Sequence, residues 1–447
     1  MKIRFNRSMK LILLVVAGLI FTFSLDFGER RVHAFSGGPD PSRTGAPALG
    51  TVPTELTCNS SGCHSTFPLN DTRGTFQFAD VPASYEPGKE YTIRLSLRMM
   101  TSPARARFGF EVVALDQNGV NAGTLATNDG KTQLIAADPG NWVGRQYLTH
   151  NSTGIMPTGT DQTEWTFKWR APATRGGKIS FYAAGNAANG AGSGGDYIFT
   201  TSALMRPEVV TVSGATFSST APLSPAGIGS GFGTDFAPAP ATATDADPNT
   251  PGIQLPTTLG GTTVSVRDSA GMTRAAGLFY VDSGQVNYLI PEGTATGVAT
   301  VTLTNTNGAS SSGSVTIAAV SPGVFTAAAN GSGVMAADIQ RINGGVSTFQ
   351  RIFNGTAAVP IVWNNATEEI FLNMYGSGVR GRSALSNVTV MIGGAAQMVS
   401  SAGAQGVFAG LDQANVLLNR NLAGRGNVDV VLMVDGRTAN TVTLNFQ

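Results

Sequence analysis

The sequence predicts an all-β fold class: tandem β-sandwich domains that follow an N-terminal signal helix. Three observations carry that expectation. Short runs with apolar residues at every second position recur, among them YTIRLSLRM (91–99), FGFEVVAL (108–115), EWTFKW (164–169) and KISFYAA (178–184). A period of two, bounded by Gly, Pro, Asn or Asp, marks a half-buried strand. Glycine reaches 56 of 447 residues and charged residues only 13%, about half the usual charged share, so the chain is turn-rich. Beyond the first apolar segment no helical period can be traced.

The N-terminus opens with Lys2, Arg4, Arg7 and Lys10 ahead of an apolar run from Leu11 to Leu25, the order of a secretory signal. Val32-His33-Ala34 supplies a cleavage site, which makes residues 1–34 a signal peptide. An uncleaved anchor is the alternative, but a run of this length falls short of a membrane span, and no span is expected after cleavage. The chain should therefore be secreted, periplasmic or held at the cell surface, where a disulfide can persist. A formal net charge of +1 without a basic stripe or acidic block argues against nucleic acid as a partner. Arg105-Ala106-Arg107 and Arg380-Gly381-Arg382 read as solvated turn charges.

Residues 35–75 hold a Gly- and Pro-rich extended lead-in and the cluster CNSSGCH. The alternating runs then define a sandwich over 76–212, and composition shifts near Ser213. Gly227, Gly229, Gly231 and Gly233 look superficially like a phosphate loop, but without the strand, helix and acidic residue of a dinucleotide site they read as turn glycines. The rest divides into sandwiches at 213–328 and 329–447, which share a faint repeat. Gln285-Val286-Asn287 is answered by Gln413-Ala414-Asn415, and Gly308 by Gly436, each 128 residues on (413 − 285 and 436 − 308). A strand-like run precedes and follows each glycine.

Several ordered motifs carry a resemblance. RTGAP, CNSSGCH, YEPGKEYT (85–92), RFGFEVVALD (107–116), YLTH (147–150), WRAP (169–172), FYAAGNAANG (181–190) and GDYIF (195–199) resemble the choice-of-anchor V domain of bacteria, a relative of the reelin N-terminal (reeler) domain. LPTTLGGTTVSV (255–266), YVDSGQVNYLIP (280–291) and SPGVFT (321–326) are similar to an uncharacterised C-terminal domain of exported acidobacterial proteins. The resemblance implies Ig-like β modules of exported proteins and no established reaction.

The chemistry concentrates in one stretch. Cys58 and Cys63 are the only cysteines, and His64 follows directly. Haem c attachment uses two thiols and an adjacent axial histidine, usually as Cys-x-x-Cys-His; here the spacing is Cys-x-x-x-x-Cys-His. If haem is present, His64 is the proximal ligand, and His150 is the other histidine left after cleavage, with Met99 or Met100 as weaker axial candidates. A Cys58–Cys63 disulfide closing a tight loop is the alternative, and with it no cofactor is expected. Zinc wants four ligands and finds three, with His150 a possible fourth, so no metal site is assigned.

Asn186, Asn189 and Asp196 sit in a Gly-rich loop able to bind a sugar or an ion. Asp245, Asp247 and Asn249 alternate oxygen ligands, but Thr250 and Pro256 stand where a calcium loop needs Gly and Glu. Trp165 and Trp169 share one strand face and read as core. Glu368 and Glu369 point to opposite faces of a strand, and neither HExxH nor GxSxG occurs. No catalytic residue is assigned. The expectation is a non-enzymatic exported protein for recognition, adhesion or assembly, with an extracellular protein or glycan as ligand; a c-type cytochrome-like electron carrier is the alternative.

Overall fold

The computed structural model describes residues 36–60, 63–100, 104–136, 140, 142, 144–244 and 254–447. The signal segment and the Asp245–Thr250 loop lie outside these residues. Among the described residues regular structure is strand, apart from two short 3-10 turns at Leu385–Asn387 and Arg420–Leu422. No helix of the described residues is long and apolar enough to cross a membrane. The chain divides into two compact units, one of residues 36–81, 90–170 and 180–203, the other of 82–89, 171–179 and 204–447.

In chain order the first ten strands are β1 (Gly74–Ala79), β2 (Ser84–Tyr85), β3 (Glu90–Met99), β4 (Arg107–Leu115), β5 (Thr124–Thr127), β6 (Thr132–Ala136), β7 (Gln146–His150), β8 (Gln162–Arg170), β9 (Ile179–Ala188) and β10 (Tyr197–Pro207). One sheet of the first unit runs β1-β3-β8-β5 and the other continues β10-β9-β4-β7-β6. The alternation read from the sequence sets the register. Leu95 lies opposite Trp165, and Ile93 opposite Phe167, so one face of β3 and β8 is apolar except for the buried Thr163 opposite Leu97.

Trp165, Phe167 and Trp169 are fully buried, the core role expected for the two tryptophans. Phe110 packs 4.5 Å from the Trp165 ring, and Phe181 meets Trp169 edge-on at 5.1 Å. Each indole N–H, which is costly to bury unpaired, donates to a backbone carbonyl: Trp165 to Gly154 at 2.7 Å and Trp169 to Ala122 at 2.9 Å.

In the second unit β11 (Val210–Ser213), β12 (Ile228–Phe232), β13 (Ala241–Thr242), β14 (Thr258–Leu259), β15 (Thr262–Arg267), β16 (Thr273–Ala275), β17 (Gly277–Val281), β18 (Gln285–Leu289), β19 (Gly297–Thr304) and β20 (Ser310–Ile317) form two sheets, β11-β12-β18-β17-β13 and β14-β15-β19-β20. Val264, Leu278, Val286, Tyr288, Val301 and neighbours fill the space between them. Two of the four glycines read as turns are corrected here: Gly229 and Gly231 lie inside β12, while Gly227 and Gly233 flank it. A Cβ at Gly229 would press on the Tyr288 ring at 3.3 Å, while one at Gly231 would lie in ordinary contact with it at 3.5 Å, so the glycine at 229 makes room for a large buried side chain whose hydroxyl meets Thr211 Oγ1 at 2.9 Å.

The remaining strands are β21 (Gly323–Val324), β22 (Ala337–Asn343), β23 (Val346–Arg351), β24 (Glu369–Ser377), β25 (Val388–Ile392), β26 (Ala395–Ala404), β27 (Asp412–Leu417), β28 (Gly426–Val434), β29 (Arg437–Thr438) and β30 (Val442–Phe446). A separate aliphatic cluster, from Val320 to Phe446, fills this body. β26 changes partner along its length: residues 395–397 pair with β25 and residues 398–404 with β27, the latter pairing interrupted by a bulge between Val399 and Ser401. The faint repeat has a structural counterpart. Gln285 Nε2 donates to Asn287 Oδ1 at 2.8 Å in β18, and Gln413 Nε2 to Asn415 Oδ1 at 2.7 Å in β27. Gly308 and Gly436 both take the left-handed backbone, at φ +72° and +78°.

Candidate functional site

Every sequence-predicted site residue belongs to the first unit. Thr57 bridges to Thr44 and caps the loop that follows, accepting from Ser60 N at 3.1 Å through its carbonyl and from Asn59 N at 3.2 Å through its hydroxyl. Asn59 Nδ2 donates to Phe67 O at 2.9 Å, and His64 N to Cys58 O at 3.0 Å. The chain thus folds back so that the start and end of CNSSGCH are joined through the backbone. Cys58 and Cys63 are half-buried free thiols, and the disulfide of the sequence reading is not formed. Burial pushes the Cys58 thiol up to about 12, helped by the charges of Glu111 and Cys63. At neutral pH it is therefore protonated, and a thiol is neither a metal ligand nor a strong nucleophile.

His64 reaches a residue far away in sequence. Its Nδ1 lies 2.7 Å from Asp196 Oδ2, with the Asp196 side chain 0% and the His64 side chain 13% exposed. Asp196 Oδ1 accepts from Asn189 N at 2.9 Å. Asn189 turns the loop tightly, its side chain accepting from Ala191 N at 2.8 Å and donating to Gly194 O at 2.9 Å. Gly195 N donates to Thr66 Oγ1 at 2.9 Å, so the β9–β10 loop is fastened to the cysteine segment at His64 and again two residues on.

Arg105, expected as a solvated turn charge, is only 6% exposed. Its Nη1 donates to Gly195 O at 2.8 Å, and its guanidinium lies 4.4 Å over the Tyr197 ring. That stacking on an aromatic face accounts for its burial. Tyr197 stacks in turn on Phe67 at 4.1 Å. Arg380 is corrected in the same way, since its Nε donates to the buried carboxylate of Asp412 at 2.7 Å.

The structure therefore joins two groups that the sequence left apart, His64 with Asn189 and Asp196. Asn186 is placed elsewhere, in β9 opposite Gly109 of β4, its buried Oδ1 without a hydrogen-bond partner. His150 ends β7, and Phe110 N donates to its Nδ1 at 2.9 Å. The imidazole lies flat on Gly109, where a Cβ would come within 2.6 Å of it. Among the described residues no group of three or more His, Cys, Asp or Glu side chains is arranged to hold a metal ion.

Sequence reasoning missed a buried polar strap. The lead-in is not free but lies on the outer side of β4 and β7, burying Ser42, Thr44, Ala46 and Glu55. Glu111 takes two backbone N–H groups of the strap, Ser42 at 3.1 Å and Arg43 at 2.9 Å. Glu55 takes Tyr147 OH at 2.6 Å and pairs with Arg145, itself buried. Burial raises Glu111 well above the usual carboxylate range, and Glu55 adds to it. The available signals were one glutamate in the middle of an apolar strand and one in a lead-in otherwise poor in charge.

No family model and no curated protein matches the sequence. Among solved structures the chain is similar to the Reelin-N domain of F-spondin (18% identity, 31% of this chain and 91% of that one, TM-score 0.21). It is similar to the human F-spondin reeler domain as well (20% identity, 31% and 93%, TM-score 0.21). A Bacteroides ovatus protein, SGBP-B of a mixed-linkage glucan utilization locus, in complex with a mixed-linkage heptasaccharide, matches over 85% of this chain and 71% of its own (11% identity, TM-score 0.25). The reeler domain is thus a weak structural neighbour.

Proposed function

We propose that the protein is an exported, non-enzymatic string of β-sandwich modules that acts in extracellular recognition, adhesion or assembly, with a protein or glycan as ligand. What supports this reading is the use made of the buried acids. Glu55 and Glu368 hold arginines, Asp268 and Asp412 hold an arginine and backbone amides, and Glu111 holds the strap. Such groups position backbone, and each is already saturated by its own partners. The test is to express the full chain in a diderm bacterial host, fractionate the cells, and sequence the recovered N-terminus. Recovery outside the cytoplasm starting at Phe35, with saturable binding to one member of a panel of extracellular glycans and proteins, is the expected result. Retention in the cytoplasm with Met1 intact, or substrate turnover by the purified chain, overturns it.

One observation favours a second reading, haem c held by Cys58, Cys63 and His64: the 2.7 Å contact between His64 Nδ1 and the buried Asp196. A histidine that ligates a metal through one nitrogen commonly donates the other N–H to a carboxylate. The donor set fits, since each thiol S–H can add across one vinyl C=C, sulfur bonding one carbon and hydrogen the other, with no net oxidation. Bound haem would supply one-electron iron chemistry. A reduced-minus-oxidised visible spectrum of the chain made beside cytochrome-maturation machinery decides it: an α-band that survives denaturation supports the reading, and a colourless protein overturns it.

A further inference from the structure

We propose that Asp196 is the positioning residue of His64, fixing the imidazole with its proton on Nδ1 and presenting the Nε2 lone pair as the ligand nitrogen for an iron porphyrin tethered at Cys58 and Cys63. The ligand class rests on the second reading above; the positioning does not. Asp196 is fully buried, and its second oxygen is already occupied by Asn189 N–H, so the carboxylate cannot turn away. The remaining oxygen faces one ring atom, Nδ1, at 2.7 Å, and a carboxylate oxygen is a hydrogen-bond acceptor. The proposed tautomer meets that contact with the Nδ1 proton and leaves Nε2 as the acceptor nitrogen. Thr66 and Arg105 fasten Gly195, next to Asp196, from two sides, which keeps the carboxylate in place before any ligand arrives. The sequence placed Asp196 in a separate sugar or ion site; the geometry assigns it to the histidine.

The experiment has two arms on the full chain. In unloaded, ¹⁵N-labelled protein, long-range ¹H–¹⁵N spectra, with His64 assigned through His64→Gln, should show a protonated Nδ1 and an unprotonated Nε2. Asp196→Ala should lose that preference and Asp196→Glu should restore most of it. A wild-type ring protonated at Nε2 overturns the proposal, and this arm decides even if Asp196→Ala fails to fold. In the haem-loaded chain, Asp196→Asn should raise the midpoint potential by about 59 mV, a tenfold change for one electron at the lower end of outer-shell effects on metal ligands. An unchanged midpoint also overturns it. Failure of the wild type to take up haem while His64 keeps its Nδ1 proton removes the haem reading alone and leaves Asp196 as the residue that orients the ring.

Discussion

The first sandwich and the last are built from different materials. The first buries three rings of one strand, Trp165, Phe167 and Trp169, against Phe110 and Phe181, and it carries a buried polar strap on its outer side. The last is filled mainly by Val, Ile and Leu, with some Ala and Met and with Phe446 as its one fully buried ring. Aromatic cores concentrate stability in a few side chains, whereas aliphatic ones spread it. The polar handles differ in kind: in the first each buried indole meets a carbonyl and each strap glutamate its donors, whereas the last buries Glu368 with Arg341 and Asp412 with Arg380. The difference predicts where single changes do the most damage.

The largest effect should come from Trp165→Ala. Removing a fully buried indole costs about 5 kcal/mol, the upper end for such truncations, because the Gly154 carbonyl loses its donor too. Val416→Ala in β27 removes less and should cost about 2 kcal/mol. Urea unfolding followed by tryptophan fluorescence can separate the two, since Trp142, Trp165 and Trp169 belong to the first unit and Trp363 to the second. Equal losses would break the contrast between the cores.

The strap comes next. Glu55→Leu leaves Arg145 buried without its carboxylate and should cost about 3 kcal/mol, read as an earlier unfolding midpoint of the first unit. Glu111 acts through pH instead. Its folded-state value is raised by burial, so the folded chain holds this proton more tightly than the unfolded one. The stability it contributes is complete below about pH 4.3, the unfolded carboxyl value, and declines as pH rises toward the folded value. Urea series between pH 5 and 8 should show the wild type losing stability relative to Glu111→Gln as pH rises. A constant difference would mean that the strap holds a charged carboxylate.

Much of this fold was legible in the sequence because period-two patterning is a local property. The four runs read as strands appear within a few residues as β3, β4, β8 and β9. The two tryptophans were legible for the same reason. The candidate site was only partly legible: CNSSGCH marked itself by rarity, but the partner of His64 lies 132 residues away, and no spacing rule reaches that far. Glycines in β12 read as turns because nothing local reveals a tyrosine passing beneath them. Arg105 and Arg380 read as solvated because burial of a cation depends on the ring or carboxylate that meets it, and both partners come from elsewhere in the chain.

The repeat offers a finer comparison within the second unit. At Gly308 and Gly436 the backbone is left-handed, and a Cβ at either would meet nothing within 4 Å, so alanine adds backbone strain without a clash. Each substitution should cost about 1–2 kcal/mol. Closely matching losses, measured by thermal unfolding, would sharpen the case that the two hairpins are copies. A neutral change at one of them would mean that its turn can relax into another form.

The smallest effect tests whether the copies share energetics as well as shape. Residues two apart on a strand face the same way, which lets Gln285 reach Asn287 and Gln413 reach Asn415 without distorting either strand. Their cross-strand neighbours differ: Asn287 lies opposite Ser230, and Asn415 opposite Asn373, which is buried. A hydrogen bond between neutral side chains contributes about 0.5–1.5 kcal/mol net. Double-mutant cycles to alanine, read by hydrogen exchange of the β18 and β27 amides, should give coupling near the lower end in β18. In β27, where the crowded asparagine pair excludes more water, the coupling should be larger by a few tenths of a kcal/mol. Coupling indistinguishable from zero in both would reduce the shared motif to a consequence of strand geometry, with no part in holding either sandwich together.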